Sequence, residues 1–183
     1  MATNNVNLGI GNVTGMVYTA PAGTSLPTSA ADSLTSWNEL GAVSSDGIVW
    51  AGFKDSEPLR NWARIVERLV SSDEGGTVKV PFIYTIKKVF EAIFGSSNVT
   101  YTAATSSHGN VTKVTVAPGV SASPAAWLFI MKDGDDMIML GTENGIVRDL
   151  DDVTFAPTEG ITWNATIEAS SWTILKDDGQ LTS

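Results

Sequence analysis

Residues 126–140, AWLFIMKDGDDMIML, are two apolar runs on either side of Lys-Asp-Gly-Asp-Asp. Apolar runs meeting at a turn rich in Gly and Asp predict a β-hairpin, and this is the strongest hairpin signal in the chain. It sets the pattern for everything from Asn98 onward. NVTYTA (98–103), NVTKVTVAP (110–118), GIVRDLDDVTF (145–155) and ITWNATIEA (161–169) all read as strands bounded by turn residues.

The first half is more varied. GMVYTAP (15–21) predicts a strand after a polar arm, residues 1–12, and before a long Pro/Ser/Thr loop, residues 21–36. An arm and a loop of that length in a small domain are expected to bind something or to pack on a neighbour. LGAVSSDGIVW (40–50) reads as two short apolar runs around Ser-Ser-Asp-Gly, a hairpin in which Gly47 takes a positive φ. EPLRNWARIVERLVSS (57–72) has two readings. Leu59, Trp62, Val66 and Leu69 fall at helical spacing, while RIVERLV also suits a strand. TVKVPFIYT (77–85) is β-branched and aromatic, and Pro81 within it points to an edge or a bulge. TIKKVFEAIFG is the clearest helix, about 85–94. Thr85 is the expected N-cap, Ile86, Val89, Phe90 and Ile93 form the apolar stripe, and Gly95 ends it.

Composition narrows the function. Apolar residues make up 43% of the 183 and charged residues 17%, which suits a globular chain, here expected to be one domain over 1–183. No apolar run is long enough to span a bilayer, and MATNNVNLGIG lacks a secretory pattern, so a protein made in a cytoplasm is expected. With no cysteine, disulfides, zinc–thiolate sites and cysteine nucleophiles are excluded. Twenty acidic against eleven basic side chains give a net charge of −9, a surface that repels nucleic acid.

The segments that resemble sites have simpler readings. GIGNVTG (9–15) lacks the preceding strand and following helix of a dinucleotide loop. Gly134-Asp135-Asp136 matches the metal-binding hairpin of viral RNA polymerases, yet a polymerase needs several hundred residues. His108, the single histidine, stands beside Ser106 and Ser107 in a Ser/Gly loop, and a triad would need a carboxylate brought to it by the fold. Asn-X-Thr sequons at Asn12, Asn98, Asn110 and Asn164 read as strand-edge composition. The six tryptophans are either a sugar-binding platform or anchors of a core or interface. No catalytic, cofactor or metal residues are expected.

From Gly41 to Gly95 the chain resembles the major tail protein, or tail tube protein, of long-tailed bacteriophages. The resemblance rests on Gly41, Ser44, Asp46 and Gly47 in a Gly-x-x-Ser-x-Asp-Gly segment, then Trp62 with Arg68 six residues on. A long strand follows, ending here in Ile83-Tyr84-Thr85-Ile86 where the family has Leu-Glu-Thr-Asn, and then a helix closing on Phe94-Gly95. Only Thr85 of that cap is kept. The resemblance favours a strand for RIVERLV and leans towards the siphophage type.

It implies a mainly β fold, an antiparallel β-sandwich or half-barrel with one flanking helix. It also implies a structural virion protein without catalysis, whose rings, usually hexameric, stack into a tube. Expected partners are the subunit itself, a tape measure protein inside the tube, terminator and tail-tip proteins, and double-stranded DNA passing without specific binding; no membrane is involved. The location would be the virion tail, with assembly in the host cytoplasm. The arm 1–12 and loop 21–36 become inter-subunit contacts, and Glu67, Asp73, Glu74 and Asp133 candidates for the lumen. Two further readings remain: a secreted-type carbohydrate-binding β-sandwich using exposed tryptophans, and a small hydrolase using Ser and His108.

Overall fold

The computed structural model describes residues 17–52, 56–60, 66–71, 75–117, 122–133 and 135–178, with backbone alone for 56–60 and 66–71. The arm 1–12, the glycine segment 9–15, Trp62, Asp73, Glu74 and Gly134 lie outside them.

The fold is mainly antiparallel β with one helix. Its strands are β1 (Val17–Pro21), β2 (Asn38–Gly41), β3 (Val49–Ala51), β4 (Ser56–Arg60), β5 (Val66–Ser71), β6 (Gly76–Phe82), β7 (Val99–Thr102), β8 (Val111–Val114), β9 (Ala125–Asp133), β10 (Asp136–Leu150), β11 (Trp163–Ala169) and β12 (Thr173–Asp177). The helix α1 (Lys87–Phe94) follows β6. Eight strands form one sheet in the order β2-β1-β9-β10-β11-β6-β3, with β12 on the first half of β10. The strong hairpin is its centre: Asp133 pairs with Asp136 and Phe129 with Leu140.

Strand β10 organises the rest. At the bulge between Thr142 and Gly145 it passes from β9 and β12 to β11, and the sheet turns with it. One core then collects Val17, Leu40, Trp127, Phe129 and Leu140 from one half with Val78, Val80, Phe82, Ala165 and Ile167 from the other. Val89 and Ile93 of α1 complete it. The sheet is curled as a sandwich-like open half-barrel and does not close.

Strand β9 alternates between two cores. Trp127 and Phe129 face the first, while Ala126, Leu128 and Ile130 face a second with Tyr18, Ala20, Trp37 and Met139. The second core is covered by the long loop, whose Leu26 and Leu34 pack onto it. Asp32 braces that loop, accepting from the Thr28 amide at 2.6 Å and the Ser29 hydroxyl at 3.0 Å. These hydrogen bonds, from Thr28 first, hold the Asp32 carboxyl below its ordinary pKa. Asp177 ties the same loop to β12 through the Ala30 amide at 2.7 Å. The loop is therefore built onto its own sheet, leaving its polar side outward.

Several expectations change. EPLRNWARIVERLVSS supplies strands on both sides of residues 61–65, β4 and β5, paired from Ser56–Ser71 to Arg60–Val66, so the helical reading fails. Strands β2 and β3 do not pair as a hairpin: β2 pairs with β1 and β3 with β6. The helix starts at Lys87 with Ile86 at its N-cap and no side-chain cap, and Ile86 is exposed rather than part of the stripe. Gly95 does end the helix, its amide bonded to the Glu91 carbonyl at 3.0 Å. Pro81 is in an interior strand, but its carbonyl faces away from β11 and accepts from the Ser44 amide at 2.9 Å. Its missing N–H is on that same side, beyond the end of β3, where no ladder bond is lost. The strand from GIVRDLDDVTF stops at Leu150.

Candidate assembly surface

The Gly41–Gly47 segment carries the chain from one edge of the half-barrel to the other. It leaves β2 beside β1, bridges Val43 to Phe82 of β6, and enters β3 on the far side. Ser44 turns it. The Gly47 amide donates to the Ser44 carbonyl at 3.0 Å, and the Asp46 amide to Ser44 Oγ at 3.2 Å. Ser44 Oγ in turn donates to Asp46 Oδ2 at 3.0 Å, which fixes the carboxylate over the turn. Gly47 has φ 73° and Gly41 φ 98°, both costly for any residue with a Cβ. Gly41 has a second reason to be glycine, because the ring of Tyr84 rests where its Cβ would be. Gly41 and the Ile83–Ile86 stretch, far apart in sequence, thus touch.

Thr85 serves the aromatic cluster instead of the helix: its Oγ1 accepts from Trp163 Nε1 at 3.2 Å. Trp163 is met edge-on by Phe90 with centroids 5.1 Å apart and by Phe94 at 6.3 Å. Phe155, 72% exposed, lies against its other side at 6.3 Å. Gly95 (φ 85°) redirects the chain into a 3-10 turn, and Asn98 Nδ2 donates to the Phe94 carbonyl at 2.8 Å.

Glu67 and Arg68 are on β5. The β4–β5 pair extends the β3–β6 pair: Ala51 opposes Thr77, and further out Ser56 opposes Ser71. The structure therefore brings Ser44, Asp46, Thr85 and Phe94 to one end of β3 and β6 and carries Glu67 and Arg68 beyond the other. Asp133 is elsewhere, at the tip of the β9–β10 hairpin.

The remaining suspects are placed as follows. His108 Nδ1 donates to the adjacent Gly109 carbonyl at 2.7 Å, in the loop joining β7 to β8. Asp136 of the Gly-Asp-Asp turn is paired with Lys176 at 3.0 Å. The five described tryptophans all pack into the two cores, so they form no sugar platform. Among the described residues no three His, Cys, Asp or Glu gather as a metal site, and no helix is long and apolar enough to cross a membrane.

Two features went unread in the sequence. The strand TILKD (173–177) became β12, and among the described residues the β10 stretch from Ile146 to Leu150 pairs only with β11. The alternation in TVKVP and NATIE was the available signal. Val78, Val80, Ala165 and Ile167 enter the core, while Thr77, Lys79, Thr166 and Glu168 form an uncovered polar face. Arg148 joins that face, paired with Glu168 at 3.2 Å.

Comparison with curated proteins finds no match. The sequence model of the phage tail tube protein family matches residues 1–173, nearly the whole of the 183-residue chain. A curled antiparallel sheet with open edges and one flanking helix suits a subunit of that kind. The chain belongs to the phage tail tube protein family, structural proteins of the virion tail.

Proposed function

We propose that this subunit closes into rings, hexameric as in the resemblance, and that the rings stack into the tube through which genome DNA passes. The observation that carries this reading is a run of four strands, β10-β11-β6-β3, whose two edges are unpaired among the described residues. The free edge of β10 and the edge strand β3 run antiparallel, so each can continue the sheet of a neighbour. A contact between two different edges propagates head to tail and closes as a ring. The uncovered face of the same four strands would then line the lumen.

That face suits a conduit. The described face carries the cations Lys79 and Arg148, the latter paired with Glu168, among Thr77 and Thr166, so phosphate contacts are few, and the chain as a whole is acidic. Glu67 on β5 and, further along the sequence, Asp73 and Glu74 are proposed as acids of the lumen, with Asp133 at the β9–β10 tip as a fourth. The arm 1–12 and the polar outer side of the 21–36 loop are taken as contacts between subunits. Tape measure, terminator and tail-tip proteins complete the set of partners, with assembly in the host cytoplasm and no catalytic step.

Negative-stain microscopy of the purified protein tests the reading. Rings or tubes of uniform diameter are expected. A particle that stays monomeric at high concentration and does not add to preformed tail tips would overturn it.

A further inference from the structure

The two edges of the β10-β11-β6-β3 run differ in what their backbones present. On β6 the Pro81 carbonyl points to the β3 side, where it accepts from the Ser44 amide at 2.9 Å. Lys79 and Thr77 share that orientation by alternation, so they bond the residues opposite them, Val49 and Ala51. Trp50, between those two, therefore turns its N–H and C=O outward from the sheet. At the far edge the Asp151 amide donates to the Asn164 carbonyl at 3.0 Å. Alternation then turns the Leu150 N–H and C=O away from β11. There the Leu150 amide meets the carboxylate of the residue before it, donating to Asp149 Oδ1 at 2.9 Å. A charged side chain on an edge strand obstructs unplanned pairing.

The faces agree as well as the backbones. Trp50 and Leu150 both pack against the first core. Val49, opposite Lys79, and Asp149, opposite Thr166, belong to the uncovered face. In an antiparallel pair, opposed residues share a face, and residues whose backbone groups point at each other exchange both hydrogen bonds. Resting on the ring reading, we propose that Trp50 of one subunit pairs with Leu150 of the next, and that Asp149 guards the Leu150 amide until the Trp50 carbonyl takes it. The occupant is a second copy because the two edges match in sense, in backbone orientation and in which face is apolar. Val49 then opposes the neighbour's Asp151 and Ala51 its Asp149, so no like charges meet. Across the seam one row reads Lys79, Val49 and the neighbour's Asp151, cation and acid about 10 Å apart at the backbone. A slip towards Val147 is opposed by the bulge between Val147 and Asp149. It is also opposed by β9, whose Ala125 already pairs with Gly145 on that side.

Cysteine pairs read the register, because the chain has no cysteine of its own. Val49→Cys/Asp151→Cys sets two thiols at a close cross-strand pair, Cα atoms about 4.5 Å apart and within reach of a disulfide. Within one subunit β6 and β11 stand between the same strands, a gap of about 14 Å or more. Mild oxidation of the assembled protein should therefore give a ladder of linked chains up to the full ring on a denaturing gel. A mixture of Val49→Cys subunits with Asp151→Cys subunits should stop at dimers. Linkage by Ala51→Cys/Ile146→Cys in place of the first pair would mean the Val147 register and overturn the assignment. For the guard, Asp149→Ala should form rings about threefold to tenfold faster by light scattering, with the wild-type far-UV spectrum. Asp149→Asn loses the same charge but keeps an acceptor oxygen, and should stay near the wild-type rate. Rings without the Val49–Asp151 linkage would overturn the pairing, and equal acceleration by the two variants the guard; both leave the ring reading intact. No rings from the wild-type protein would bring down the ring reading, and this pairing with it.

Discussion

Gly41 and Gly47 look equivalent in sequence, yet the structure sets them apart. At Gly47 an added Cβ meets nothing within 4 Å, so Gly47→Ala costs only the positive φ, about 1 kcal/mol. At Gly41 the Tyr84 ring must also move, and Gly41→Ala should cost about 2–4 kcal/mol, read as a lower urea midpoint. Tyr84→Ala in the same chain should recover the steric part and leave the φ part. Equal costs at the two glycines would refute the account. Asp32 makes a different kind of prediction. Its lowered pKa means the loop's hydrogen bonds are fully present above the ordinary Asp pKa and are lost as pH falls through the lower, folded value. Protection of the Thr28 and Ser29 amides, taken relative to intrinsic exchange at each pH, should therefore fall in acid, and Asp32→Asn should remove that response.

Among the elements, burial predicts a wide spread of stability. Strand β9 is covered on both faces and paired along both edges, whereas β4 and β5, among the described residues, pair only with each other in a two-stranded sheet. An isolated ribbon is marginal in water. Hydrogen exchange in the unassembled subunit should find β9 slowest and β4–β5 fastest, with β4–β5 slowing on tube formation. Equal protection of the two would count against the hairpin as an assembly element. Helix α1 has no N-terminal side-chain cap, so its stability comes from the face bearing Val89, Phe90 and Ile93. Ile93→Ala should destabilise the subunit by about 2–4 kcal/mol in a urea titration, while the exposed Ile86→Ala should be close to neutral.

For the whole molecule, acidity and open edges act together. A net charge of −9 keeps free subunits apart at low salt, so screening should speed ring formation. Light scattering across a salt series would then show rings forming faster as ionic strength rises. Double-stranded DNA should pass a column of immobilised tubes unretained at physiological salt; retention that falls steeply with salt would mean the wall binds phosphate.

The local features were legible in the sequence because neighbours in the chain cause them. Apolar runs meeting at Asp133–Asp136 gave the central hairpin, the Val89–Ile93 stripe gave the helix, and Gly95 gave its end. The ordered motifs from Gly41 to Gly95 also carried the family resemblance. What only the tertiary structure decided are the pairings between distant segments. Sequence could not separate a β2–β3 hairpin from a segment crossing between sheet edges, because both need the same Ser-Ser-Asp-Gly turn. Nor could it show that Tyr84 occupies the space above Gly41, or that Thr85 bonds Trp163 rather than the helix start. A turn is set by the φ preferences and short-range hydrogen bonds of four residues. Which strands it joins is set by the core those strands bury together, and that is a property of the whole chain.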